Sequence, residues 1–133
     1  MTVWVNGTFD VLHVGHLRLL EFASSYGELI VGIDSDKRVK ELKGEDRPFN
    51  CTEDRKYFLE SLKFVKEVIV FDSRAELIGL VDKIRPDYMV VGDDYKNQPV
   101  YGSEYAKELI FFEKLPNYST TKILKYYEGD SNR

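Results

Sequence analysis

Apolar runs and amphipathic stretches alternate along this chain. Thr2 to Asn6 is a short apolar run and Leu29 to Ile33 a continuous one; Lys66 to Phe71, Tyr88 to Val91 and Leu109 to Leu115 repeat the pattern. Runs of this length read as strands, and the continuous run Leu29 to Ile33 as one covered on both faces. From Val14 to Tyr26, residues Leu17, Leu19, Leu20, Phe22 and Ala23 recur at helical spacing, and Gly27 suits a left-handed stop. A short basic helix is expected after Asp34-Ser35-Asp36, as far as Leu42. Asn50 with Glu53 resembles a capping box for a helix to about Phe64. Ser73 with Glu76 resembles a second, for a helix that ends near Ile84 before Pro86. Ser103 opens a short helix, and Ser119 caps a last one to about Tyr127. Strands alternating with helices predict a Rossmann-like α/β fold: an open sheet of about five parallel strands with helices on both faces. A single domain over 1–128 is expected, with 129–133 as a disordered polar tail.

In such sheets ligands lie beyond the carboxyl ends of the strands, at the switch point. His13 and His16 follow the first strand, Asp34 and Asp36 the second, Asp93 and Asp94 the fourth, and Ser119 to Thr121 the fifth. The first of these groups is the most telling. His13 and His16 are the chain's only 2 histidines, separated by Val14 and Gly15 at a predicted helix start. Helix N-termini carry unpaired N–H groups and partial positive charge, so this stretch reads as a phosphate cradle. Lys43, Arg47, Arg55 and the hydroxyls of Ser119, Thr120 and Thr121 add donors for phosphate oxygens, and nearby carboxylates suit Mg²⁺ or a ribose. The chain has no G-x-x-x-x-G-K-[ST] loop, no G-x-G-x-x-G and no G-x-S-x-G. P-loop NTPase, dehydrogenase and serine hydrolase readings therefore lack their mechanical parts.

Composition narrows the classes further. A formal net charge of -4 argues against nucleic-acid binding. The single cysteine, Cys51, excludes an internal disulfide. No apolar run reaches the ~18 residues of a membrane span, and no signal-peptide pattern precedes the first strand. A soluble cytoplasmic protein without a membrane partner is expected.

Gly7-Thr8-Phe9-Asp10-Val11-Leu12-His13-Val14-Gly15-His16 resembles the signature of the HxGH nucleotidyltransferases, in their cytidylyltransferase-like branch. Tyr118-Ser119-Thr120-Thr121-Lys122-Ile123 resembles that family's second signature, and the similarity runs from about Val3 to Lys125. The resemblance implies joining of a nucleoside monophosphate, from a triphosphate, to a phosphorylated sugar or polyol with release of pyrophosphate. It implies His13, His16 and Lys43 as catalytic residues, with Lys37 and Lys40 as alternatives to Lys43. Gly7, Thr8, Phe9, Asp10, Gly15, Gly92, Asp94, Tyr118, Ser119, Thr120 and Thr121 would bind nucleotide. Asp36, Arg47, Arg55, Tyr95 and Lys96 would bind the acceptor. Mg²⁺ would arrive with the triphosphate, bridged mainly by phosphates, and a homodimer is the family's usual state.

Two branches compete for the substrate. Leu42-Lys43-Gly44, Arg47-Pro48, Asp94-Tyr95-Lys96 and Val100-Tyr101-Gly102-Ser103-Glu104 resemble the heptose-1-phosphate adenylyltransferases, although Asp93 departs from that branch's usual glycine. The Gly92-Asp93-Asp94 triplet resembles the glycerol-3-phosphate cytidylyltransferases. Their Arg-Thr-Glu-Gly run and their tryptophan after the aspartates are replaced here by Leu115-Pro116-Asn117-Tyr118 and by Tyr95. The favoured expectation is therefore ATP with a heptose 1-phosphate, and the alternative is CTP with glycerol 3-phosphate or another phospho-alcohol. A non-catalytic nucleotide-binding module is the remaining reading.

Overall fold

A computed structural model describes residues 1–113. Its five strands are β1 (Thr2–Gly7), β2 (Glu28–Asp34), β3 (Glu67–Phe71), β4 (Tyr88–Gly92) and β5 (Glu108–Phe112). All pairings are parallel, in the order β3-β2-β1-β4-β5. The helices are α1 (Val14–Ser24), α2 (Asp36–Lys43), α3 (Thr52–Glu60) and α4 (Arg74–Ile84), with 3-10 turns at Asp93–Tyr95 and Ser103–Tyr105. This is the Rossmann-like α/β sheet expected from the apolar runs. The expected helix after Ser119 and the tail 129–133 lie outside the described residues.

Strand alternation divides the core into two layers. Val3, Val5, Leu29, Val31 and Ile33 pack under Leu20 and Ala23 of α1 and Leu59 of α3. Trp4, Phe71 and Met89 point the other way, onto Leu77 and Val81 of α4. Gly32 makes room for the one tryptophan, since a Cβ there would lie 2.4 Å from Trp4 Cζ2. Gly32→Ala is therefore expected to destabilise the fold by about 1–3 kcal/mol through overpacking. Urea unfolding followed by Trp4 fluorescence checks this; an unchanged midpoint would contradict the packing described.

Local details differ from the sequence expectation at four places. Gly27 is not a left-handed stop: α1 ends at Ser24 with Ser25 in right-handed geometry. Glycine is needed there because a Cβ would sit 2.4 Å from the Met1 carbonyl oxygen. Leu17 is 36% exposed, so the buried face of α1 is carried by Leu20 and Ala23. Asn50 does not cap α3, which starts after Cys51 with no side-chain cap and ends at Glu60. Strand β5 stops at Phe112, short of Leu115. The Ser73 cap holds, its hydroxyl accepting from the Glu76 N–H at 3.1 Å.

The sheet opens where the chemistry is expected. β1 stays registered with β2 through Gly7↔Ile33, but with β4 only at Val3↔Tyr88 and Trp4↔Met89. Past Trp4 the two central strands part, and the carboxyl halves of β1 and β4 become the walls of a crevice.

Candidate active site

The crevice is a cleft of about 500 Å³ floored by Val5, Val90, Val91 and Gly92. The β1–α1 turn (Asn6 to Asp10) and His16 form one rim, and Arg38, Lys43 and Arg47 form another. Arg74, Tyr95 and the Gln98 to Tyr101 loop close the far side. The Arg74 guanidinium lies 4.1 Å over the Tyr101 ring, which ties the start of α4 to that loop. Gly102 anchors that loop: its φ of 87° favours glycine, and a Cβ there would lie 3.1 Å from Val81.

The two histidines build the start of α1 between them. Nδ1 of His13 accepts from the Gly15 N–H at 3.0 Å, and Nδ1 of His16 accepts from the His13 N–H at 3.2 Å. This is a capping box made with imidazoles in place of the usual serine and glutamate. The rings stack with centroids 3.9 Å apart, and Phe9 packs at 5.4 Å against His16. With Nδ1 an acceptor in both rings, the neutral imidazoles carry their proton on Nε2. The cap thus sets the tautomer and makes each Nε2 an N–H donor. Phe9 is buried with φ of 49°, a left-handed conformation costly for a bulky side chain. The strained turn places its ring beneath His16.

Two side chains hold this turn to its surroundings. Asp10, 2% exposed, accepts from the N–H groups of Phe49 at 2.6 Å and Asn50 at 2.7 Å. Asn50 Nδ2 returns a bond to the Asp10 carbonyl at 2.8 Å, which is the work it does instead of capping α3. Asp10 therefore pins the loop that carries Arg47 beside the cleft. Arg55 is fully buried, and all its donors are taken by the protein. Nε donates to Asn50 O, Nη1 to Thr8 O and Asp34 O, and Nη2 to Asp36 Oδ1 and Thr52 Oγ1. It clamps the ends of β1 and β2 together, so the expected contact with an acceptor phosphate is corrected: no N–H remains for one. Asp36 serves the same clamp.

Of the expected residues, the structure brings Gly7, Thr8, Phe9, Asp10, His16, Lys43, Arg47, Gly92 and Tyr95 together around the cleft. His13 and Gly15 stand behind His16 at the helix start. Asp94 and Lys96 lie on the exposed turn after β4 rather than in the wall. Tyr118, Ser119, Thr120 and Thr121 lie outside the described residues. Sequence reasoning missed Arg38 and Arg74, and noted Tyr101 only as part of the Val100-Tyr101-Gly102-Ser103-Glu104 motif. Arg38 Nε stands 3.6 Å from Asp34 Oδ1. Burial raises the Asp34 carboxyl above the ordinary aspartate range, while Arg38, Lys43 and Arg55 pull it back down.

A family model described as cytidylyltransferase-like matches residues 4–125. The chain belongs to the cytidylyltransferase-like family. Within it, the bifunctional protein HldE of Sulfurimonas denitrificans is 45% identical over 131 residues, covering 96% of this chain and 27% of that protein. HldE of Campylobacter fetus is 41% identical over 96% of this chain and 28% of its own length. The chain thus spans little more than a quarter of these curated relatives. A lipopolysaccharide core biosynthesis protein from Thermoplasma volcanium shares the fold, with a TM-score of 0.70 and 23% identity over 85% of this chain and 97% of that one. Among the described residues no helix is long and apolar enough to cross a membrane.

Proposed function

We propose that this chain is a nucleotidyltransferase that joins the AMP of ATP to the phosphate of a heptose 1-phosphate and releases pyrophosphate. The observation that carries this reading is the imidazole capping box, which turns a helix N-terminus beside the cleft into two N–H donors with a fixed tautomer. Similarity to the HldE proteins and the heptose-branch motifs favour ATP and a sugar phosphate over CTP and glycerol 3-phosphate, and favour catalysis over a silent binding module.

The acceptor's phosphate oxygen is already ionised, so the chain needs no strong base. That oxygen attacks the α-phosphorus in line, and the bond to the β-phosphate oxygen breaks as pyrophosphate departs. Nε2–H of His13 and His16 donate to the triphosphate, and Lys43 offsets charge that develops at the α-phosphate. Gly7 and Gly15 let the backbone approach the phosphates, and Gly92, in the cleft, and Asp94, on the turn beyond it, are assigned to the nucleotide. Tyr118 and the hydroxyls of Ser119, Thr120 and Thr121 would take the β- and γ-phosphates. Arg47, Tyr95 and Lys96 are assigned to the acceptor.

Mg²⁺ is read as part of the ATP substrate, where it neutralises phosphate charge. Among the described residues no three His, Cys, Asp or Glu side chains gather as a metal cage, and Asp10 is committed to its loop. This donor set suits an ion bridged mainly by phosphates. A cytoplasmic location and a homodimer complete the proposal; the exposed aromatics Phe49, Tyr57 and Phe58 beside and along α3 support the homodimer.

Pyrophosphate release from ATP, CTP, GTP and UTP, each paired with heptose 1-phosphate and with glycerol 3-phosphate, tests the substrate assignment. The ATP and heptose 1-phosphate pair is expected to turn over fastest. Preference for CTP with glycerol 3-phosphate would move the chain to the other branch. Nucleotide binding without turnover across the panel would make it a binding module.

A further inference from the structure

Among the described residues, three guanidinium nitrogens beside the cleft are buried without a hydrogen-bond acceptor: Arg38 Nε, Arg47 Nε and Arg47 Nη2. Each arginine has one carboxylate near it, yet neither carboxylate satisfies it. Arg38 Nε is 3.6 Å from Asp34 Oδ1, and Arg47 Nε is 3.6 Å from Asp10 Oδ2. Those separations give Coulomb attraction without a hydrogen bond. Asp10 has no reason to close the gap, because both its oxygens already take backbone N–H groups. Buried charged donors left unpaired are costly, and a bound anion beside a cleft is one partner that would satisfy them.

We propose that Arg38 and Arg47 together form the binding site for the phosphate of the acceptor, taken as a dianionic monoester. This rests on the nucleotidyl-transfer reading and adds Arg38, which neither motif contains. Nε and Nη2 lie on one edge of the Arg47 guanidinium, and two parallel N–H groups there match two phosphate oxygens. Arg38 Nε supplies a third donor from the first turn of α2, where its own backbone N–H is held by Ser35 Oγ at 3.2 Å.

The sheet order says which phosphate this is. The histidine helix starts from β1, and the crevice opens between β1 and β4 toward Gly92, the side to which the proposed function assigns the nucleotide. Arg38 follows β2, on the opposite side of β1, and Arg47 is carried by the loop tied to Asp10. A phosphate held there lies across β1 from the Gly92 side of the crevice, where it does not compete with the nucleoside for space.

Kinetics of Arg38→Gln, Arg38→Lys and Arg47→Gln with ATP and heptose 1-phosphate test the assignment. Each glutamine variant is expected to raise the KM for heptose 1-phosphate by about tenfold or more, with the KM for ATP within about twofold of wild type. Arg38→Lys keeps the charge but loses Nε, so it should recover only part of the affinity. Calorimetry of heptose 1-phosphate binding, with a non-hydrolysable ATP analogue present, keeps the site testable even if wild type does not turn over. Binding lost in the glutamine variants supports it there. An equal rise in the KM for ATP would place the arginines on the triphosphate and overturn the proposal, as would unchanged acceptor affinity. Should Arg47→Gln fail to fold, the two Arg38 variants decide alone.

Discussion

Replacing His16 by alanine is expected to lower turnover about 100- to 1000-fold, the usual cost of removing one donor to a developing charge. Nδ1 of His16 is occupied by the His13 N–H, which leaves Nε2 as the donor that the proposed function assigns to the triphosphate. Alanine removes that donor and one half of the cap, yet α1 stays anchored by Leu20 and Ala23, which are fully buried. His13 separates the two roles more cleanly. His13→Ala should cost about 1 kcal/mol of stability through the lost N-cap, whereas His13→Asn restores the cap. Asparagine does not restore the Nε2 donor, so His13→Asn should be stable and slow. Turnover with ATP and heptose 1-phosphate, beside thermal unfolding, reads both effects. A wild-type rate in His16→Ala would remove that imidazole from the mechanism.

The largest loss of stability is expected at Arg55. Arg55→Ala strips donors from the carbonyls of Thr8, Asp34 and Asn50 and from the Asp36 carboxylate at once. A buried acceptor that loses its partner costs about 1–3 kcal/mol, and breaking a buried charged network costs about 3–5 kcal/mol. The Asp36 carboxylate is 41% exposed and regains water, so the loss comes chiefly from the carbonyls. A drop of about 3–5 kcal/mol in denaturant unfolding is therefore expected. Arg55→Lys should rescue little, because an ammonium cannot span five acceptors fixed around a planar fork. If Arg55→Ala unfolds like wild type and instead raises the KM for the acceptor, the side chain binds substrate after all.

Arg55 also marks where the sequence stops being legible. The strands could be read because runs such as Leu29 to Ile33 are apolar at every position, which only a doubly covered strand tolerates. The histidine turn could be read because its spacing fits a helix start. Nothing local marks Arg55 for full burial, since its acceptors at Thr8 and Asp34 lie 47 and 21 residues away. On sequence alone it is one more helical cation available to phosphate. Arg38 is the converse case: set among Lys37 and Lys40 it looks like a solvated charge, and only the fold shows a buried Nε beside the cleft. Asn50 has the composition of a helix cap, but the long-range bond to the Asp10 carbonyl outcompetes the local one.

Nucleotidyl transfer to a phosphate oxygen is the central claim, and isotopic labelling tests it most directly. Heptose 1-phosphate carrying ¹⁸O on its phosphate is incubated with unlabelled ATP, and the products are resolved by mass spectrometry and ³¹P NMR. The account predicts an ADP-linked sugar that keeps all of the label in its diphosphate, one labelled oxygen bridging the two phosphorus atoms, together with unlabelled pyrophosphate. Label released as inorganic phosphate, or ATP consumed with no sugar nucleotide formed, would contradict it.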